Sequence, residues 1–125
     1  MNDNEIDELI HDIIGCGVEV HKAIGSGFPK DIYMSSIAHE FTLLGIDYVQ
    51  EEEMVIYYKD NAVGTLCVDF IVEGKVLVEI KTIEKLDDKQ RVYTINHCKI
   101  FKITDGLLLN FGTQPLDCKR VYSKD

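Results

Sequence analysis

The spacing of apolar residues changes near Gly45, and this change limits the architectures that the chain can adopt. Before Gly45, apolar side chains recur every three or four residues, which is the spacing of a buried helical stripe. The first stripe contains Ile6, Leu9, Ile10, Ile13, Val20 and Ile24, and the second contains Tyr33, Ile37, Ala38, Phe41 and Leu44. After Gly45, residues 48–59 are rich in β-branched and aromatic side chains, which favour strands. Two helices followed by a sheet are therefore predicted.

Turn and capping residues set the limits of these helices. Asn4 or Asp3 is predicted to cap the first helix, which ends at residues 25–27 (Gly-Ser-Gly). Pro29 suits the first turn of the second helix, because its missing N–H has no partner to lose there. Gly45 is predicted to end that helix.

The rest of the chain alternates between strand and helix signals. Strands are predicted over residues 48–59, 63–72, 75–81 and 106–111, with a further edge strand at 120–122. Asp87 is predicted to cap a third helix that runs to about residue 103. The order helix, helix, three strands, helix, strand, strand indicates an α/β fold with a mixed sheet flanked by helices, in which a helical crossover joins the third strand to the fourth.

Length and composition favour one domain, residues 1–125, with a core of its own. No apolar run reaches the roughly 18 residues that a membrane helix needs, and the acidic N-terminus does not resemble a signal peptide. We therefore expect a cytoplasmic protein without a membrane partner. Its four cysteines contain no C-x-x-C pair, so free and mostly buried thiols are predicted.

The net charge of −9 is unevenly distributed along the chain. Residues 1–60 hold 13 of the 22 acidic residues and three of the 13 basic ones, for a net charge of −10, while residues 61–125 carry +1. Non-specific binding to duplex DNA needs clustered Lys and Arg, so the acidic first half argues against a protein that coats DNA by charge alone. A small basic cleft in the second half remains compatible with this distribution.

Three ionisable residues lie within apolar strand segments on either side of a tight turn: Asp69, Glu79 and Lys81. A two-residue loop between the strands would put Asp69 and Glu79 on opposite faces. A three-residue loop over residues 72–74, with Gly74 in the left-handed position, puts all three ionisable residues on one face. The opposite, core-facing side is then predicted to hold five apolar residues: Val68, Phe70, Val76, Val78 and Ile80.

Two carboxylates on neighbouring strands are suitable ligands for one Mg²⁺ or Mn²⁺ ion that keeps several waters. Such an ion lowers the pKa of a bound water and stabilises a phosphodiester under attack, while Lys81 orients the water or neutralises developing charge. A cross-strand carboxylate and lysine on a solvated sheet face is the other interpretation, because exposed pairs of this kind are common.

The order of Asp69, then Glu79-Ile80-Lys81, then a helix and a strand resembles the PD-(D/E)XK nuclease superfamily. The segments VHKAIGSGFPKDIY, VDFIVEGKVLVEIKTIEKL and GLLLNFG further resemble the small bacterial GxxExxY family within it, over roughly residues 5–122. The resemblance implies a restriction-endonuclease-like αβββαβ core and a nuclease that hydrolyses nucleic acid with Mg²⁺ or Mn²⁺. It also implies Asp69, Glu79 and Lys81 as catalytic residues, with the Ile80 carbonyl joining Asp69 and Glu79 as a metal ligand.

Two segments of the chain depart from the family pattern. Gly27 and Tyr33 are present, but Lys30 replaces the Glu between them and is followed by Asp31. On the third helix, Tyr93 stands at the position of the family Gln and His97 at that of the family Tyr.

The first departure leads to a hypothesis about metal binding. The ammonium of Lys30 takes the cation position and pairs with Asp69 and Glu79, which leaves a folded site without metal. Alternatively, Asp31 replaces the missing carboxylate, although adjacent helical residues point about 100° apart. Tyr93 and His97, four residues apart on one helix face, line the site if the alignment holds.

Two functions therefore remain open, namely a metal-dependent nuclease with a degenerate site and an inactive nuclease-fold domain that binds or acts as a scaffold. In the second case no metal cofactor is expected. Nucleic acid is the expected partner, and homo-oligomerisation stays open.

Overall fold

The computed structural model describes residues 1–123. It contains three helices and five strands among these residues. In chain order they are α1 (Asp3–Ile24), α2 (Lys30–Leu44), β1 (Tyr48–Tyr58), β2 (Asn61–Val72), β3 (Val76–Lys81), α3 (Asp88–Phe101), β4 (Asp105–Asn110) and β5 (Asp117–Tyr122). The predicted order of elements is confirmed.

The helix ends follow from local hydrogen bonding. The N-cap of α1 is Asn2, whose side chain accepts from the Glu5 N–H in a capping box, so the prediction of Asn4 or Asp3 as the cap was wrong. Helix α2 begins directly after Pro29 and ends at Gly45, which is left-handed as predicted (φ 69°). Asp87 caps α3 with two hydrogen bonds from the first turn, also as predicted.

The five strands form one mixed sheet in the order β1-β2-β3-β4-β5. Strands β3 and β4 are parallel, and the other neighbouring pairs are antiparallel. Helix α3 forms the crossover between β3 and β4, because a connection between parallel strands must run from the end of one strand back to the start of the next. The α/β fold class with a mixed sheet flanked by helices is therefore confirmed.

The helices pack on both faces of the sheet. The larger core lies between α1, α2 and one sheet face, and it includes the fully buried Tyr33, Phe41, Phe70 and Phe111. A smaller cluster on the side of α3 contains Val68, Leu77, Cys98 and Ile103. The first residues of α2 are thus close to one face of the sheet, and α3 covers the other.

The predicted parity of β2 and β3 is right for most residues and wrong for one. Phe70, Val76, Val78 and Ile80 lie in the larger core as predicted, whereas Val68 packs in the cluster beside α3. The alternation of β2 is interrupted opposite Glu51, whose left-handed backbone (φ 55°) lies between the pairs Gln50–Phe70 and Glu52–Val68.

The turn between β2 and β3 also differs by one position from the prediction. Val72 pairs with Val76, so the loop comprises residues 73–75, and both Glu73 and Gly74 have positive φ. This loop still holds three residues, so the parity between the two strands is the predicted one.

All four cysteines are free thiols: Cys16 and Cys98 are buried, Cys118 is partly buried and Cys67 is exposed. Burial raises the pKa of Cys98 to about 12, which keeps that thiol protonated. Over residues 1–123, no helix combines the length and the hydropathy required to cross a bilayer.

Candidate active site

The predicted site residues come from four elements. Lys30 is the first residue of α2, Asp69 lies on β2, Glu79 and Lys81 lie on β3, and His97 lies on α3. Both carboxylates lie inside the fold, with Asp69 9% and Glu79 4% exposed. A buried carboxylate is costly unless other groups compensate its charge, so the partners of each one decide what the site can do.

Asp69 is held by a backbone amide and by a lysine. Its Oδ2 accepts a hydrogen bond from the Ile80 N–H at 2.7 Å, and its Oδ1 lies 2.9 Å from Nζ of Lys30. The pairs between β2 and β3 run from Val72–Val76 to Phe70–Val78, so Asp69 bonds to the next strand where the regular backbone pairing ends. Both oxygens of Asp69 therefore have partners, one of which is a cation.

Glu79 is held by two side chains of α3. Its Oε1 accepts hydrogen bonds from Oγ1 of Thr94 at 2.9 Å and from the ring Nδ1 of His97 at 2.7 Å. Burial by itself raises the pKa of Glu79, but the hydrogen bond and charge of His97, the Thr94 hydroxyl and the charge of Lys81 outweigh it and leave the pKa below its usual value. Glu79 is thus an ionised, hydrogen-bonded carboxylate near neutral pH.

Lys30 was predicted to pair with both carboxylates, and this prediction is confirmed for Asp69 and wrong for Glu79. Lys30 pairs with Asp69, whereas Glu79 takes its hydrogen bonds from α3. Helices α2 and α3 pack on opposite faces of the sheet, and each of them supplies a partner for one carboxylate. The two carboxylates are therefore each satisfied by different groups.

The remaining predicted residues lie around this pair. Lys81 is partly exposed and, two residues after Glu79 on β3, points to the same face. Asp31 is exposed on α2, and the side chain that reaches Asp69 is the preceding Lys30. Tyr93 is 48% exposed, with Nζ of Lys89 5.9 Å from the centre of its ring. A site role for Asp31 or Tyr93, and the Ile80 carbonyl as a ligand, stay predictions.

Sequence reasoning missed Thr94, the second hydrogen-bond donor to Glu79. Thr94 is fully buried and lies three residues before His97, so both side chains are on the same face of α3. The three-residue spacing from His97 was the available signal in the sequence. A Thr on the same helix face as His97 needs a hydrogen-bond acceptor when it is buried, and the carboxylate of Glu79 is such an acceptor.

Asn110 was also missed, and it fixes the chain that follows Lys81. Its Oδ1 accepts from the N–H groups of Ile83 and Gly112, and its Nδ2 donates to the Ile83 carbonyl, each at 3.0 Å. The adjacent Phe111 N–H donates to the Lys81 carbonyl at 2.8 Å. These bonds hold the segment after β3 against the end of β4, beside Lys81.

The donor set as arranged does not fit a resident divalent ion. The ammonium of Lys30 already lies against Oδ1 of Asp69, and Oδ2 of Asp69 and Oε1 of Glu79 accept hydrogen bonds. Within residues 1–123, no group of three or more His, Cys, Asp or Glu side chains is arranged to hold a metal ion. A divalent ion at Asp69 would first have to displace Lys30.

Comparisons with known proteins agree with this arrangement of elements. A family model described as the PD-(D/E)XK nuclease superfamily matches residues 7–121. A solved structure, described as the crystal structure of SSO0001, is similar with a TM-score of 0.61 at 14% identity, over 77% of this chain and 51% of that one. The similar region thus spans about half of that protein, and at this identity it shows the fold alone. The search of curated proteins found no match. Because the family model covers most of the sequence, the chain belongs to the PD-(D/E)XK nuclease superfamily.

Proposed function

We propose that this chain is a nuclease-fold protein of the GxxExxY type that binds nucleic acid without hydrolysing it, because Lys30 takes the place of a metal ion. Nucleases of this superfamily generally use divalent metal ions, and membership suggests nucleic acid as the partner. The observation that carries the proposal is the 2.9 Å contact between Nζ of Lys30 and Oδ1 of Asp69.

Electrostatics support this proposal. A fixed ammonium 4 Å from a divalent cation repels it by about 8 kcal/mol at an effective dielectric constant of about 20. In the GxxExxY pattern a Glu stands where this chain has Lys30, so the replacement turns an attraction for metal into a repulsion. The lysine also neutralises Asp69, which removes the need for a metal ion to compensate that buried charge.

The basic groups of the site remain available for a phosphodiester. Lys81 is partly exposed at the end of β3, and the side chain of Lys30 is 46% exposed while it contacts Asp69. Lysine binds phosphate as a point charge and contributes a salt-dependent, sequence-independent attraction. These side chains can bind a phosphodiester without hydrolysing it.

A second candidate function is a metal-dependent nuclease of low activity. It is favoured by the exposure of Lys30, since a side chain that is 46% exposed can rotate into solvent and release Asp69. In that case Asp69, Glu79 and the Ile80 carbonyl are the ligands for Mg²⁺ or Mn²⁺, and Lys81 is the catalytic lysine. The two candidates make opposite predictions about Lys30.

Calorimetric titration with Mn²⁺ and cleavage assays separate them. We compare wild type, Lys30→Glu, the neutral Lys30→Met and Glu79→Ala, using single- and double-stranded DNA and RNA with Mn²⁺. The proposal predicts no cleavage by wild type and a gain of Mn²⁺ binding in Lys30→Glu that exceeds any gain in Lys30→Met. Cleavage by wild type that Glu79→Ala abolishes would establish the second candidate instead.

Binding is measured separately, in buffer without divalent ions, by fluorescence anisotropy of the same labelled nucleic acids. Wild type should bind at least one of them, and Lys81→Ala should weaken that binding. Lys75→Ala, a change in the exposed turn between β2 and β3, is the matched control and should leave the affinity unchanged. Absence of binding to all four nucleic acids would reject the proposed partner.

A further inference from the structure

The paired strands β1 and β2 extend beyond the rest of the sheet. Strand β3 pairs with β2 at residues 70–72, whereas β1 and β2 continue to pair with each other as far as Tyr58 and Asn61. We call residues 51–67 the hairpin arm. Among residues 51–65 of the arm, all side chains are exposed except the half-buried Ile56.

The arm exposes several large apolar side chains. These are Met54, Val55, Tyr57, Tyr58 and Val63. Two strands alone are marginally stable in water, and an unpaired edge next to apolar side chains is a template for pairing with another strand. Strand β1 is the terminal strand of the sheet, so its outer edge is such a template.

The backbone defines an uninterrupted strand segment on this edge. Glu51 (φ 55°) and Lys59 (φ 48°) are both left-handed, and the seven residues between them, 52–58, are all strand. The pairing with β2 shifts by one residue between Ile56 and Tyr57, but the extra residue is Val63 on β2, so β1 itself continues through the shift. Val55 is the centre of that segment. A second copy of the same edge, turned by a two-fold axis, therefore matches it in length when the axis passes through Val55.

We propose that the outer edge of β1 binds a second copy of this chain by antiparallel strand pairing, with Val55 next to the two-fold axis. In this register, residue 51 of one copy faces residue 59 of the other, so Glu51 and Lys59 form two identical opposite-charge pairs. Glu53 faces Tyr57, and Met54 faces Ile56. The two sheets join into one ten-stranded sheet across the interface.

Neighbouring registers either bring like charges into opposed positions or lose the opposite-charge pairs. An axis at Ile56 pairs Glu53 with Lys59 but also places Glu52 against Asp60, and an axis at Glu53 places that residue against its own copy. An axis at Met54 gives Glu51 and Lys59 no partner of opposite charge. Like charges in directly opposed positions destabilise a strand pair, so the charges favour the axis at Val55.

The acidic residues of this edge also favour a second copy of the chain over nucleic acid as the partner. Glu51, Glu52 and Glu53 are consecutive where the arm begins on β1. They repel phosphate, which argues against nucleic acid at this edge. A second copy supplies a lysine at the position that a glutamate needs, and the proposal is independent of what the candidate active site does.

The first test measures self-association by sedimentation velocity over a hundredfold range of protein concentration. Wild type should dimerise, and Lys59→Glu should raise the dimer dissociation constant about tenfold, because it places two glutamates against Glu51. The double variant Glu51→Lys with Lys59→Glu restores both opposite-charge pairs and should restore dimerisation. Lys75→Glu is the control of equal charge change and should dimerise like wild type. A monomeric wild type, or a double variant that stays as weak as Lys59→Glu, would overturn the proposal.

The second test fixes the register by a disulfide in a Cys67→Ser background, which removes the exposed thiol. Cα atoms of directly opposed antiparallel residues lie about 4.5–5.5 Å apart, within the range that a disulfide spans. Val55→Cys should therefore form a covalent dimer on oxidation with oxidised glutathione. Val63→Cys, on the other strand of the arm, should stay monomeric under the same conditions. Equal cross-linking of the two variants would contradict pairing at Val55.

Discussion

Replacing Asn110 by Ala should cost far more stability than the change of a single polar side chain suggests. The side chain is fully buried and makes three hydrogen bonds, to the Ile83 N–H, the Ile83 carbonyl and the Gly112 N–H. A buried hydrogen bond contributes about 1 kcal/mol, and leaving its partner unsatisfied costs about 1–3 kcal/mol. For three partners we expect a loss of about 3–4 kcal/mol in the free energy of unfolding, given that water reaches part of the emptied space.

The assay is urea unfolding followed by far-ultraviolet circular dichroism, since the chain contains no tryptophan. Amide hydrogen exchange measured by NMR should also show faster exchange at Ile83 and Gly112 in Asn110→Ala than in wild type. The matched control is Asn61→Ala. Asn61 is exposed and makes one hydrogen bond, to the Lys59 carbonyl at 3.3 Å, so its replacement should change stability by about 0.5 kcal/mol or less.

A loss below about 1 kcal/mol in Asn110→Ala, with unchanged exchange at Ile83, would refute this reasoning. It would mean that the backbone after Lys81 is held by other contacts. A large loss of stability with unchanged exchange at Ile83 would place the cost elsewhere, in the packing of the core around β4.

Two further predictions concern the close approach of Gly112 to the backbone of Ile83 and the protonation of Glu79. Gly112→Ala places a Cβ 2.1 Å from the Ile83 carbonyl oxygen, a backbone atom, so it should destabilise the fold by about 3 kcal/mol in urea unfolding. Gly64→Ala, where a Cβ meets nothing within 4 Å, should be neutral, and equal effects of the two changes would contradict the steric explanation. Despite the burial of Glu79, hydrogen bonds and nearby positive charge hold its pKa below the usual value, so its stabilising contribution is present above the pKa of the unfolded state and is lost as the pH falls through the lower folded pKa. Glu79→Gln should therefore flatten the acid limb of stability against pH, and an unchanged limb would show that Glu79 does not contribute to it.

The features predicted correctly from the sequence are those that depend on neighbours along the chain. The left-handed end of α2 at Gly45 and the Asp87 cap of α3 follow from the local chemistry of those residues. The order of elements follows from the change of apolar period. The contact of Lys30 with Asp69 was predicted by a family pattern, because the sequence spacing alone does not relate α2 to β2.

The features that were missed depend on packing between distant segments. Val68 changes side next to the point where the neighbouring strand has the left-handed Glu51, and nothing in the sequence of β2 indicates this. Thr94 and Asn110 act through partners 15 and 27 residues away, so their roles appear only when the sheet and α3 are assembled. The cap of α1 was misplaced because Asn2, Asp3 and Asn4 are all good capping residues, and the choice depends on Glu5.

The signature carboxylates of a nuclease are usually taken to indicate both its fold and its activity. The hydrogen bond from the Ile80 N–H to Asp69 separates these two meanings. Asp69 replaces a backbone acceptor at the point where two strands part, so the sheet needs this carboxylate whether or not any reaction takes place. In this chain, the presence of Asp69 is therefore explained by the fold alone, and the proposal that hydrolysis is absent depends on its neighbour Lys30.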